Sequence, residues 1–398
     1  MSGAALRAGA VSVDITPSDL SRTWLAGFGL NRRATGILEP LSASVLYLSA
    51  GRHAVVLVAV DLIGLGRAWI DAIAARSTRL GGAALLCGST HTHSGPDTLG
   101  IWGRGLFGAV PVRSGVDRAY LARLIEHVAA GIDRAIATSQ PVRMRSASFD
   151  VPQRWARNDR KGGARYDGAV AAAFESDDGE RVATLLNYAS HPETLWDENR
   201  LVSPDFPGAF RRRTSELAGG VALYMSGPLG AMLTPDVPEG ASAPQRQQYA
   251  EDLGRTLAEL GEQHLAGCAP EQPETLHHAS SPLVLRNRNW RFQLFRMLRI
   301  LETRLRGGRV EARIHHLRVG QLELLTAPGE VVPELGLRIR ERMRAPDRAI
   351  FGLCGEEVGY ILEPAMFEND EYRYERTMSL GRDTAEDLLA AYDALLRA

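Results

Sequence analysis

The sequence predicts a mixed α/β fold, with central mixed β-sheets flanked by helices. Two observations predict it. Short apolar runs such as residues 55–62 (VVLVAVDL) and 182–188 (VATLLNY) read as buried strands. Between them lie longer segments with helical spacing, in no regular βαβ alternation.

In chain order, residues 14–17 (DITP) form a turn after a first short strand, and 55–62 is the next strong strand. Residues 69–75 are expected to be helical, followed by a strand ending at Cys87. Residues 97–115 are a Gly-rich loop containing Trp102 and Phe107, suited to a pocket wall or lid. Residues 117–138 have helical spacing. Residues 182–188, 221–225, 322–326 and 349–353 read as short buried strands. Residues 244–265, 332–343 and 383–397 read as helices. No internal repeat or low-complexity linker divides the chain, so residues 1–398 read as a single domain.

Composition narrows the function. The chain is 45% hydrophobic and 23% charged with net charge −1, which gives no reason to expect a nucleic-acid partner. Lys161 is the only lysine, so arginine abundance reads as composition bias rather than a binding signal. Cys87, Cys268 and Cys354 are odd in number and far apart, without a CxxC pair, which suits a reducing compartment. The N-terminus lacks the apolar core of a secretion signal, and no apolar run reaches the roughly 18–20 residues of a membrane span. A cytoplasmic protein is the expectation.

Several predicted strands end in turns bearing groups capable of chemistry. His91-Thr92-His93-Ser94-Gly95-Pro96 follows the strand to Cys87, and His191-Pro192-Glu193 follows the strand to Tyr188. Ser226-Gly227-Pro228 follows the strand to Met225, and Pro328-Gly329-Glu330 follows the strand to Thr326. The strand to Leu353 leads into Glu356, Glu357 and Tyr360. If these strands share a sheet, the groups gather at one edge of it. His91, His191 and Glu330 would then supply the two nitrogens and one oxygen of a catalytic zinc site that keeps one position open. In an extended HTH segment the two histidines point the same way, about 6–7 Å apart. One can bind metal while the other faces substrate. Taken singly, each group has a plainer reading. His191 reads equally as a core histidine, Glu330 as the acidic first turn of a helix, and Tyr360 as a packed aromatic. His53, His127, His264, His277, His278, His315 and His316 show no comparable setting and read as structural.

Together these segments resemble the catalytic domain of the neutral/alkaline, non-lysosomal ceramidases, a family of zinc amidases. The resemblance runs through residues 9–17 (GAVSVDITP), 26–36, 55–65, the THTHSGP motif at 90–96, 187–192 and 327–381. THTHSGP is specific to the family; the other segments count through their order. The resemblance implies one Zn²⁺ per chain on His91, His191, Glu330 and Tyr360, with a metal-activated water attacking an amide carbonyl. It also implies that His93 faces the substrate. It further implies that a tyrosine, best matched by Tyr374 of Tyr374-Glu375, and an arginine of Arg157-Asn158-Asp159-Arg160, taken as Arg160, line the site.

The sequence departs from the family at Gly230-Ala231-Met232-Leu233-Thr234-Pro235, where the family has Gly-Asp-X-Ser-Pro. Thr234 replaces the serine beside the zinc. A counterpart of the family's C-terminal β-rich domain is not expected within these 398 residues. The expectation is a hydrolase of a small-molecule amide or lipid-like N-acyl compound other than ceramide. The alternatives are an acyl transferase or cyclase, an ester or lactone hydrolase, and a non-catalytic metal-binding protein.

Residues 286–306 carry seven arginines among apolar residues at close to helical spacing. Such a helix rests either on its own core or on an anionic membrane surface.

Overall fold

A computed structural model describes residues 5–106, 110–303 and 305–397. Two β-sheets pack face to face with helices on both outer surfaces, and the predicted mixed α/β class holds. The elements are β1 (Arg7–Asp14), β2 (Ser42–Ala50), β3 (His53–Val60), α1 (Arg67–Arg76), β4 (Ala84–Ser89), α2 (Arg118–Ala137), β5 (Gln140–Asp150), β6 (Gly168–Ser176), β7 (Arg181–Tyr188), α3 (Phe206–Ala218), β8 (Val221–Ser226) and α4 (Ala243–Ala266). They continue with β9 (Leu276–Arg286), α5 (Trp290–Met297), β10 (Arg309–Val319), β11 (Leu322–Thr326), α6 (Pro333–Arg340), β12 (Asp347–Phe351), α7 (Arg373–Thr377) and α8 (Thr384–Leu395).

The larger sheet has the order β8-β7-β6-β5-β1-β2-β3-β4, and the smaller has β9-β10-β11-β12. Strand β3 shows why both form. Its side chains alternate between faces. Val55, Leu57 and Ala59 enter the core between the sheets, with Leu324 and Phe351 of the smaller sheet. Val56, Val58 and Val60 meet α1 and α2 on the outer face. A strand covered on both sides has no polar face, hence the unbroken apolar run.

Within these two sheets most neighbouring strands are antiparallel, but three pairs among the described residues are parallel: β3/β4, β7/β8 and β11/β12. Each is joined by a crossover containing a helix (α1, α3 and α6, respectively). The predicted chemical groups follow the ends of these parallel strands. These strands do not all share one sheet: β4, β7 and β8 belong to the larger sheet, and β11 and β12 to the smaller.

The groups still meet, because the two sheets are joined at this end. The amide of Asn187 donates from Nδ2 to the carbonyls of Met225 (2.8 Å) and Ile350 (2.9 Å), and its Oδ1 accepts from the Ile350 N–H at 3.1 Å. Gly88 forms a bridge to Cys354, and Gly352 N–H donates to the Ser226 carbonyl at 2.8 Å. Losing the buried Asn187 amide would leave three backbone groups unpaired, at about 1–3 kcal/mol each.

The basic segment is also corrected. Arg286 ends β9, only Trp290–Met297 is helical, and Leu305–Arg306 pairs with β10. Arg304 and Phe107 lie outside the described residues. Among the described residues, Cys87, Cys268 and Cys354 are free, and no helix is long and apolar enough to cross a membrane.

Candidate metal centre

The turn after β4 does not continue as an extended chain. His91 adopts φ +70°, a conformation that costs a non-glycine residue about 1–3 kcal/mol. The surroundings hold it there. Its N–H donates to the Leu62 carbonyl at 2.9 Å, and its ring Nδ1 donates to the Ile63 carbonyl at 2.6 Å. The turn brings the His91 and His93 ring centres to 5.1 Å, in an edge-to-face arrangement rather than the parallel display of an extended HTH segment.

His191 follows β7 and is held in the same way. Its Nδ1 donates to the Leu233 carbonyl at 2.9 Å. With both Nδ1–H groups committed to backbone carbonyls, each Nε2 is turned toward Glu330, the arrangement that orients metal-binding histidines. Both converge on one oxygen. Glu330 Oε2 lies 3.1 Å from His191 Nε2 and 3.5 Å from His91 Nε2.

Glu330 does not open a helix, as its sequence setting suggests. It lies in a two-residue strand, Glu330–Val331, paired in parallel with Tyr360–Ile361, and α6 begins only at Pro333. This pairing sets Glu330 opposite Tyr360. The Tyr360 hydroxyl contacts Met232 Sδ at 3.7 Å.

His93 is the third imidazole. The ligand atoms of His91, His93 and His191 all lie within 4.8 Å of one another, all buried, so these three could hold a metal ion. His93 differs from the other two in its partner. Its Nδ1 lies 3.0 Å from Glu193 Oε2 rather than on a carbonyl, within ion-pair distance but without hydrogen-bond geometry, and its Nε2 has no hydrogen-bond partner either. The ring packs edge-on against Phe28 at 4.8 Å and directly over Gly27. Gly27 has φ +98°, and a Cβ there would overlap the imidazole. Gly27→Ala is therefore expected to displace His93 and lower kcat by about tenfold or more, while leaving bound metal unchanged by elemental analysis.

Burial and these partners set the charges. Burial alone would lower the His191 pKa, but Glu330 outweighs it and raises it to about 9. Burial would raise Glu330, but His91 and His191 hold it well below the usual carboxylate range. His93 is lowered to about 4, chiefly by burial, with Glu193 opposing. Burial would raise Glu193, yet His93 helps to bring it down to about 2. At neutral pH, His93 is thus a neutral ring beside an ionised Glu193. The sequence reading left Glu193 out of the site. Its place two residues after His191 in His-Pro-Glu was the available signal.

The remaining predicted residues fall into two places. Tyr374 lines the same pocket as His91, His93, Glu330 and Tyr360, with its ring centre 6.0 Å from that of Tyr360. Arg160 Nε donates at 2.5 Å to Oε1 of the buried Glu375, next to Tyr374. Arg157 instead pairs with Asp159 and Asp236. Of the two candidate arginines, Arg160 is the one tied to the Tyr374 segment. Thr234 is buried in Leu233–Pro235, a strand paired with Ala156–Asn158. It sits with Glu193 on a second, more polar pocket.

The first pocket is mostly apolar, with a cavity volume of about 60 Å³. Ile101 and Trp102 form part of its wall, from the loop after the histidine motif. Asp97 shapes that loop by accepting from the N–H groups of Leu99, Gly100 and Trp102. Phe292, Leu301 and Leu305 add further wall from the α5 region. Glu357 is a further polar member: Oε1 accepts from Gly359 N–H at 2.8 Å, and burial pushes its pKa well up.

No protein-family profile matches the chain, and no curated protein does. Solved structures do match. A neutral ceramidase from Pseudomonas aeruginosa superposes with a TM-score of 0.79 at 19% identity, over 99% of this chain and 74% of that one. A ceramidase complexed with C2 gives a TM-score of 0.76 at 18% identity, over 99% and 74%. The chain shares the fold of these ceramidases.

Proposed function

We propose that this chain is a zinc-dependent hydrolase of the carbon–nitrogen bond in an N-acyl compound. One observation carries the reading: two carbonyl-anchored imidazoles and a carboxylate converge on one point at the wall of an apolar pocket. The fold shared with these ceramidases supports the same reaction class.

His91, His191 and Glu330 form the donor set, two nitrogens and one oxygen, with Tyr360 as a further oxygen donor opposite Glu330. The set fits a dication, which would displace the proton that His191 and Glu330 otherwise share. Bound zinc supplies Lewis acidity to the carbonyl and lowers the pKa of water.

The chain's own groups manage the protons. His93, with Nδ1 facing Glu193, presents Nε2 as a base. Nε2 accepts a proton from the attacking water and returns it to the departing nitrogen, so amine and carboxylic acid leave in equal amounts. Ionised Glu193 stabilises the intervening imidazolium. Tyr374, with Arg160 joined to its segment through Glu375, would hold the carbonyl oxygen. Thr234 lies beside Glu193 and acts by positioning that carboxylate rather than as a nucleophile. The apolar pocket takes the acyl chain.

The test is a panel of N-acyl amines of graded chain length, with free acid and free amine both measured. Equal release of the two, abolished by a strong chelator and restored by zinc, is expected. Full turnover in the chelator would refute the metal dependence. Cleavage of esters or lactones with every amide untouched would move the chain to that class. Product joined to an added amine acceptor would make it a transferase.

A further inference from the structure

Helix α5 has two apolar faces. Phe292 points inward and lines the pocket. Trp290, Leu294, Met297 and Leu298 recur at the spacing of a single helical face, and that face is bare. Trp290 is 64% exposed, Met297 81% and Leu298 58%. Isolated exposed apolar residues are ordinary, but a row of them on one helix marks a contact surface.

The charge around this row identifies what it meets. Residues 286–301 contain five arginines and no acidic residue. Arg286, Arg291, Arg296 and Arg299 are all exposed, and among the described residues none has a carboxylate within ion-pair distance. Of the five, Arg288 has an ion-pair partner among the described residues, Asp383, and Arg296 acts electrostatically on Glu302, the next acidic residue along the chain. Unpaired cations framing a bare apolar row match a surface with anionic groups above hydrocarbon.

A second segment extends the patch. The loop after the histidine motif hydrogen-bonds to the α5 region through Glu302 N–H and the Leu99 carbonyl at 2.9 Å. Beyond it, Gly105–Leu106 pairs antiparallel with Val110–Pro111, and Leu106 and Val110 are also exposed. Both segments wall the apolar pocket, through Trp102 on one side and Phe292 and Leu301 on the other.

We propose that α5 and this strand pair form a docking surface for an anionic lipid bilayer, seated beside the apolar pocket. The apolar row enters the headgroup–acyl boundary, and the arginines face lipid phosphates.

The experiment is co-sedimentation of the whole protein with phosphatidylcholine vesicles containing about one third phosphatidylglycerol, beside vesicles of phosphatidylcholine alone. Binding to the anionic vesicles, at least about tenfold tighter than to the neutral ones and weakened by salt, is the expected result. Trp290→Ser with Met297→Ser should reduce it by about tenfold or more. Both positions are exposed, so the variant's circular dichroism and its turnover of a short, water-soluble amide should match wild type. Equal or absent binding to the two vesicle types overturns the proposal. So does a wild-type dimer, measured by light scattering, that the double variant turns into monomers, since the row would then be covered by a second copy. Vesicle binding is read without substrate, so it stands or falls separately from the amidase reading.

Discussion

His91→Asn should strip the protein of its metal and lower kcat/KM by at least about a thousandfold, or roughly 4 kcal/mol of transition-state stabilisation. Asparagine is the right replacement because of the backbone. At φ +70° asparagine is among the side chains that sit most easily, whereas alanine adds strain to the loss of the ring. The variant therefore keeps the turn and removes the imidazole. Metal-to-protein ratio by elemental analysis should fall from about one to near zero, with the circular dichroism spectrum retained. Glu330→Gln should act in the same direction, because it keeps the carboxylate's shape and removes the charge lying 3.1 Å from His191 Nε2 and 3.5 Å from His91 Nε2. Stoichiometric metal retained in His91→Asn would overturn the assignment of this site. Lost metal with turnover intact would leave the site and remove zinc from the reaction.

How far the fold could be read from the sequence depended on which faces of each strand are buried. Strand β3 was legible because both faces are apolar, so no helical period competes with its run of valines. Strand β6 was not. Its Ala171, Ala172 and Ala173 have helical propensity, and their value as a strand appears only in three dimensions. Ala171 lies on the face turned to α4, close to Gly261, where small side chains let the helix approach the sheet. The basic segment misled for a related reason. Its apolar spacing is genuine, but it includes the last residue of β9, the short helix α5 and the Leu305–Arg306 pair, and period alone does not show where one element stops.

The candidate site was legible in part. Strand-end turns identified the groups, and the THTHSGP motif gave them an order. No spacing along the chain relates His91 and His191, which follow strands of the larger sheet, to Glu330, which follows a strand of the smaller. Their meeting depends on the joint between the sheets, and Asn187 is part of that joint. Glu193 was passed over because its role depends on His93, whose ring is brought round by the positive φ of His91 and seated over a bare glycine.

His93→Ala separates two accounts of the three-histidine cluster. Distance alone admits a metal held by His91, His93 and His191. The partners of each ring argue for a division of labour. His91 and His191 anchor Nδ1 on backbone carbonyls and point Nε2 at Glu330, as metal ligands do. His93 faces ionised Glu193 instead, a partner that stabilises a ring which gains and loses a proton. His93→Ala should therefore keep its metal and lower kcat by about a hundredfold to ten-thousandfold, with a much smaller change in KM. Glu193→Gln should lower kcat in the same sense by a smaller factor, because Nε2 remains available and only its charged form loses support. Metal analysis and steady-state kinetics on the same preparations decide the matter. Metal lost from His93→Ala to the extent seen in His91→Asn would place His93 on the ion and leave the proton transfer without its base.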